Sequence, residues 1–236
     1  MVHMALDAGH TDPPTVLLVG GSPEPSAPST VRRAAAGADA VVAIDRGYER
    51  VLAAGVACAL FCGDGDSIGG AGAEAVRSAE RAGSLEVVRY NPHKDDTDLG
   101  LALGEVARRW PAATVRATCL GGGHPDHLLG VVGRLAAYRP AGPRPPSAPA
   151  VEIVEDGCEG RVLHAGEAWD MVNAAGRRFS FIPLAPSAVV SEAGMRWELD
   201  HRRVPLLDDL GISNVIEADR ARITCHEGVL ACWLFA

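Results

Sequence analysis

Acidic residues recur in short clusters along the first half of the chain, each just behind an apolar run. Asp45 opens Asp45-Arg46-Gly47. Asp64 and Asp66 lie in Gly63-Asp64-Gly65-Asp66-Ser67, and Asp95, Asp96 and Asp98 follow Lys94. Asp126 closes Gly121-Gly122-Gly123-His124-Pro125-Asp126. Carboxylates gathered at one place repel one another unless a cation sits among them. Oxygen ligands suit a hard ion, Mg²⁺ first, and Mg²⁺ usually completes its shell with substrate phosphates. The segments Gly20-Gly21 and Gly121-Gly123 let backbone N–H groups approach phosphate closely. Lys94 adds a point positive charge. Acids, glycine turns and a lysine together point to phosphoryl-type chemistry.

A plainer reading competes at each position. Asp and Gly are common turn formers, and Asp96 or Thr97 would serve as a helix cap. The placement of the clusters favours a site. Apolar runs at Thr15-Val19, Ala40-Ile44, Ala59-Cys62, Leu85-Val88, Val115-Leu120 and Val151-Val154 read as strands buried on both faces. Helical patterns alternate with them. Leu99, Leu103, Val106 and Trp110 share one face of a helix from Asp98, closed by Pro111. Leu128, Val131, Val132 and Leu135 offer a buried face over Asp126-Tyr138. Such alternation predicts a mostly parallel, Rossmann-like α/β layer, whose ligands bind beyond the carboxyl ends of its strands. All the acidic clusters follow strand ends, so they should meet at one edge.

The remainder of the chain lacks a long helical pattern. The proline-rich stretch at 139–149 reads as a surface loop, with the domain boundary placed after it, near Asp156-Gly157. Alternation over Ala221-His226, a turn at Glu227-Gly228 and a return over Val229-Phe235 predict a hairpin within a small all-β sandwich or barrel. The expected organisation is a poorly ordered tail over 1–14, an α/β catalytic domain over 15–156 and a β domain over 157–236.

Composition narrows the function. Hydrophobic residues at 47% and charged residues at 22% fit an ordinary globular protein. A net charge of −8 without any basic run argues against nucleic acid as a partner. The six cysteines show no metal-ligand spacing and read as small buried hydrophobes in a reducing compartment. Neither a signal peptide nor an apolar run of about 20 residues is visible, so a cytoplasmic location away from membranes is expected.

The ordered motifs resemble the thiamin pyrophosphokinase family. Asp45-Arg46-Gly47, Gly63-Asp64-Gly65-Asp66-Ser67, Lys94-Asp95-Asp96-Thr97-Asp98 and Gly122-Gly123-His124-Pro125-Asp126-His127 follow its DGG, GDxDS, KDxTD and GGRxDH segments. Phe181-Ile182-Pro183-Leu184, Gly194-Met195-Arg196-Trp197-Glu198-Leu199 and Gly211-Ile212-Ser213-Asn214 follow its later SxxPL, GxxWxL and SNE segments. The resemblance implies an ATP-binding α/β domain, a β domain for the acceptor, and a homodimer with sites at the subunit interface. It implies transfer of diphosphate from ATP to the hydroxyl of thiamin, releasing AMP. Asp45, Asp64, Asp66 and Asp98 would hold Mg²⁺, and Asp126 would face the phosphates or the attacking hydroxyl. Gly20, Gly21, Arg46, Lys94, Gly122, Gly123 and His124 would serve ATP. Trp197 would stack on the cationic heterocycle, with Ser213 and Asn214 hydrogen-bonding to it; taken alone, Trp197 reads as a core aromatic.

Four positions depart from the family pattern: Arg46 for glycine, Gly65 for a bulkier residue, His124 for arginine and Val215 for glutamate. Arg46 is expected to supply the charge absent at His124. These departures leave two alternatives open: a diphosphokinase for another hydroxymethyl heterocycle, and a nucleotide-binding module without turnover.

Overall fold

A computed structural model describes residues 13–65, 67–90, 96–145 and 148–236. Its first part alternates strand and helix: β1 (Thr15–Val19), α1 (Pro28–Ala35), β2 (Ala40–Ile44), α2 (Gly47–Ala54), β3 (Leu60–Gly63), α3 (Gly70–Arg81), β4 (Glu86–Arg89), α4 (Asp98–Arg109), β5 (Thr114–Thr118), α5 (Pro125–Ala137) and β6 (Val151–Val154). The strands lie in the order β4-β3-β2-β1-β5-β6, all parallel. Two-sided burial explains the apolar runs of β1, β2 and β3, whereas β4, at the edge of the sheet, exposes Glu86 and Arg89 and β6 is mostly half-buried, against the expectation for those two runs. Leu17, Val19, Val41, Ala43 and Phe61 pack against Val31, Tyr48, Val51 and Val76 of α1 to α3. Val16, Leu18, Val42, Ile44 and Leu60 face the other way, against Leu99, Leu103, Val106 and Leu135 of α4 and α5. The chain leaves β1 towards β2 on one side and has β5 on the other. The carboxyl ends of these strands therefore flank a crevice at a switch in strand order.

Strands alone follow: β7 (Cys158–His164), β8 (Ala168–Val172), β9 (Arg178–Pro183), β10 (Ser187–Ala193), β11 (Leu199–Pro205), β12 (Asn214–Val215), β13 (Arg220–Glu227) and β14 (Val229–Phe235). The α/β-then-β class read from the sequence stands. One sheet nevertheless runs through both parts: β7 pairs antiparallel with β6, and β14, β9 and β12 extend the sheet to ten strands. The boundary expected at 156 falls in the turn between β6 and β7. A second antiparallel sheet, β11-β10-β13-β8, covers the added strands. The sandwich between them is filled by Phe179, Phe181, Val190, Ile216, Ile223 and Leu230, among others.

Two local expectations fail. The strands β13 and β14 exist, but they do not form a hairpin. β13 pairs with β10 and β8, whereas β14 pairs with β7 and β9. Alternation marks a half-buried strand without naming its neighbour, and the turn at Gly228 carries the chain from one sheet to the other. Of the face expected to be buried on α5, only Leu135 is; Leu128 is 42% exposed.

Candidate active site

A cavity of about 740 Å³ opens at the carboxyl ends of β1, β2 and β5. Gly21, Asp45, Arg46, Asp98, Gly122, Gly123, His124 and Asp126 all line it, as the sequence predicted. Asp66 and Lys94 lie outside the described residues.

Asp45 ends β2 with φ 46°, a left-handed conformation unusual for a residue with a side chain. Its N–H donates to the Cys62 carbonyl at 3.0 Å, and its carbonyl accepts from Tyr48 N–H at 3.0 Å. This turn aims the carboxylate inward, where Oδ1 accepts from Gly65 N–H at 3.3 Å. A Cβ at position 63 would lie 1.8 Å from that oxygen, so Gly63 is required by the approach of Asp45. Asp45 is buried, and its carboxyl is pushed up to about 7 by burial first and then by the charge of Asp98, with Asp64 adding to it. Three of the expected carboxylates therefore sense one another. Asp64 belongs to this group electrically without lining the cavity.

Asp98 is the first residue of α4. Thr97 caps that helix, its Oγ1 accepting from Gly100 N–H at 3.1 Å, so the capping role weighed from sequence holds for Thr97. Asp96 instead pairs with Arg134 of α5, joining the two helices. α5 begins at the cavity as well, with His124 before it and Asp126 in its first turn. Two helix N-termini thus meet the cavity, and their dipoles favour anions.

The loop between β5 and α5 is shaped by residues the sequence reading passed over. Gly122 and Gly123 take φ values of 78° and 75°, which favour glycine. Glu155 accepts from Cys119 N–H at 3.1 Å, Leu120 N–H at 3.1 Å and Gly121 N–H at 3.4 Å. Those amides are committed to Glu155, which leaves Gly122 and Gly123 as the glycines of the loop positioned for a ligand. Ser26 Oγ also donates to Glu155, and Ser22 Oγ donates to the Gly121 carbonyl. Glu155 sits 34 to 36 residues from the amides it holds, so no local spacing betrays it. Gly20 does not line the cavity; it packs beneath this loop against Leu120. Arg46 does line it, with Nε donating to the Ser67 carbonyl at 3.2 Å.

Trp197, Ser213 and Asn214 form a separate face on the β part and do not line the cavity. Trp197 is 58% exposed, so it is not a core aromatic. The Arg196 guanidinium lies 5.6 Å from its ring centroid. Ser213 is exposed, with φ 64° and its N–H donating to Ser180 Oγ at 2.9 Å. Asn214 is buried. Its Oδ1 accepts from Trp197 N–H at 3.2 Å and Val215 N–H at 2.9 Å. Its Nδ2 donates to the Trp197 carbonyl at 2.8 Å and Glu192 Oε2 at 3.2 Å.

Comparisons with known proteins agree with this geometry. Residues 31–143 match the family model described as thiamin pyrophosphokinase, catalytic domain, and residues 170–230 match thiamin pyrophosphokinase, vitamin B1 binding domain. The first match runs from within α1 to beyond α5 and takes in the cavity residues from Ile44 to Arg134, and the second contains Trp197, Ser213 and Asn214. A thiamine pyrophosphokinase from Bacillus subtilis superposes with a TM-score of 0.75 at 23% identity, covering 94% of this chain and 99% of that one. One from Geobacillus thermodenitrificans gives 0.72 at 25% identity, covering 94% and 97%. One from Candida albicans gives 0.72 at 11% identity, covering 95% and 90%. No curated protein sequence matches the chain.

Proposed function

The chain belongs to the thiamin pyrophosphokinase family, diphosphotransferases acting on thiamin with ATP, and on that premise we propose how its own residues carry the reaction. The observation that carries the reading is the convergence of Asp45, Asp98 and Asp64 beside a glycine-lined cavity with two helix N-termini at its rim. ATP lies in this cavity. Gly122 and Gly123 offer N–H groups to its phosphates, the starts of α4 and α5 add favourable dipoles, and Arg46 supplies charge with His124 beside it. Lys94 adds a further positive charge.

The donor set fits a hard divalent cation. Among the described residues no three His, Cys, Asp or Glu form a ready-made cage. Mg²⁺ typically takes one or two protein carboxylates and shares the rest with phosphate and water. The mutual repulsion that raises the Asp45 carboxyl is what such an ion would relieve. Asp45, Asp64, Asp66 and Asp98 would hold it, and when bound it supplies neutralisation of phosphate charge.

The thiamin hydroxyl attacks the β-phosphorus, the bond to the α-phosphate oxygen breaks, and AMP leaves. Asp126, exposed at the start of α5, faces the hydroxyl and takes up its proton. The thiazolium ring stacks on Trp197, with Ser213 beside it. These acceptor residues lie apart from the cavity within one chain, which supports a homodimer in which a second copy brings its acceptor face to the cavity. Leu128 and Leu129 on α5, and Leu206, Leu207, Leu210 and Ile212 beyond β11, are exposed apolar residues suited to such an interface. The buried or half-buried free cysteines fit a reducing cytoplasm.

The deciding experiment follows AMP and thiamin diphosphate formation from ATP, Mg²⁺ and thiamin. Turnover of another alcohol alone, or ATP binding without turnover, would overturn the reading. At thiamin concentrations far below KM, where both variants are slow, mixing Asp98→Asn with Trp197→Ala chains should restore part of the activity if each site is shared between copies. No recovery after verified exchange of subunits would place both halves of the site in one chain.

A further inference from the structure

Glu192 on β10 is 3% exposed and points into the apolar sandwich, among the least expected places for a carboxyl group. One of its oxygens, Oε2, accepts from Asn214 Nδ2 at 3.2 Å. The other, Oε1, has no hydrogen-bond partner among the described residues. A leucine would fill the space without that cost, so the carboxyl must do something its single contact explains.

Asn214 supplies the explanation. A side-chain amide offers two donor hydrogens and two acceptor positions. Trp197 N–H and Val215 N–H occupy the acceptor positions, and the Trp197 carbonyl and Glu192 occupy the donors. The amide is saturated inside the protein and has no capacity left for a ligand. Its two bonds to the Trp197 backbone bridge the turn that presents the exposed indole. Because the Trp197 N–H and carbonyl demand opposite ends of the amide, the clamp works in one orientation only. Glu192 accepts from Nδ2 and disfavours the flipped amide, which would set Oδ1 against its oxygen.

We infer that Glu192 and Asn214 are positioning residues for the acceptor: Glu192 fixes the orientation of the Asn214 amide, and Asn214 holds the Trp197 turn, without either touching thiamin. The inference rests on the proposed stacking role of Trp197. It replaces the direct contact expected of Asn214 and adds a residue, Glu192, that no motif marks.

The test uses whole enzyme and two readouts. In ligand-free protein, Glu192→Leu should speed hydrogen exchange of the Trp197 amide about tenfold, the scale of one hydrogen bond. Glu192→Gln keeps an acceptor oxygen and should restore protection. In kinetics, Glu192→Leu should raise the thiamin KM by a similar factor while kcat and the ATP KM stay within about twofold. Unchanged exchange in Glu192→Leu, or equal loss in the Gln and Leu variants, overturns the inference. If Glu192→Leu does not fold, Asn214→Ala takes its place. A direct contact to substrate would leave exchange in the free protein unaltered, whereas a clamp would not. Should the wild-type enzyme fail to turn over thiamin, the functional reading falls, and the exchange measurement still decides the positioning role.

Discussion

The two ends of the molecule treat buried polarity in opposite ways. At the cavity, Asp45 is set beside Asp98 and Asp64, whose charges add to burial in pushing its carboxyl up to about 7. On the β face, every hydrogen-bonding position of Asn214 is filled by the protein itself. A cluster of repelling carboxylates favours a cation, since what binds there relieves repulsion already present in the fold. A completed cluster holds a surface still, and leaves the ring of Trp197 as the exposed group there. The cavity end is therefore expected to respond to loss of charge, and the β end to loss of shape.

The largest effect should come from Asp98→Asn. Removing a carboxylate that neighbours Asp45 should lower kcat by on the order of 10²- to 10³-fold. The same change should raise the melting temperature in EDTA, because Asp45 loses its strongest repulsive neighbour. A lower melting temperature would show that the cluster is not strained as described. Next, Trp197→Ala should raise the thiamin KM about five- to thirtyfold, the scale of a cation–π contact of about 1–2 kcal/mol, with the ATP KM unaltered. An equal rise for both substrates would erase the contrast between the two ends.

A smaller effect concerns pH. Burial raises the Glu192 carboxyl from 4.5 to about 7. Below pH 4.5 both the folded and the unfolded chain carry the proton. Between 4.5 and about 7 the unfolded chain releases it while the folded chain keeps it, so this group makes stability fall as pH rises, and the loss is complete above about 7. The nearby Cys232 thiol is held protonated by burial throughout that window. Glu192→Gln should therefore flatten the slope relative to wild type in denaturant titrations, and parallel slopes would contradict it. The smallest change is Arg46→Gly, which should raise the ATP KM a few-fold, as expected for a partly solvated charge. An unaltered value would show that Arg46 does not stand in for the charge absent at His124.

The contrast also separates what sequence conveys from what it hides. β1, β2 and β6 appear in the sequence with their observed limits, because the buried strands β1 and β2 are written as apolar runs and three of the four residues of β6 are Val or Ile. The cavity was legible because its acids follow consecutive strand ends, and parallel topology sends those ends to one edge. Glu155 and Glu192 were not legible. Each acts on backbone or side chains distant in sequence, and such a glutamate carries no spacing to read. The pairing of β13 and β14 was missed for a related reason: alternation reports which side of a strand is wet, and nothing in it distinguishes a turn back from a step across.

The unbroken sheet across the β6–β7 turn has a mechanical consequence. Enzymes with a hinge between lobes tune the distance between substrates by bending. Here ten hydrogen-bonded strands act as a beam from the nucleotide edge to the strand that carries Asn214. The spacing between the cavity and Asn214 is set when the sheet folds, and only the loops at either end remain free to adjust it.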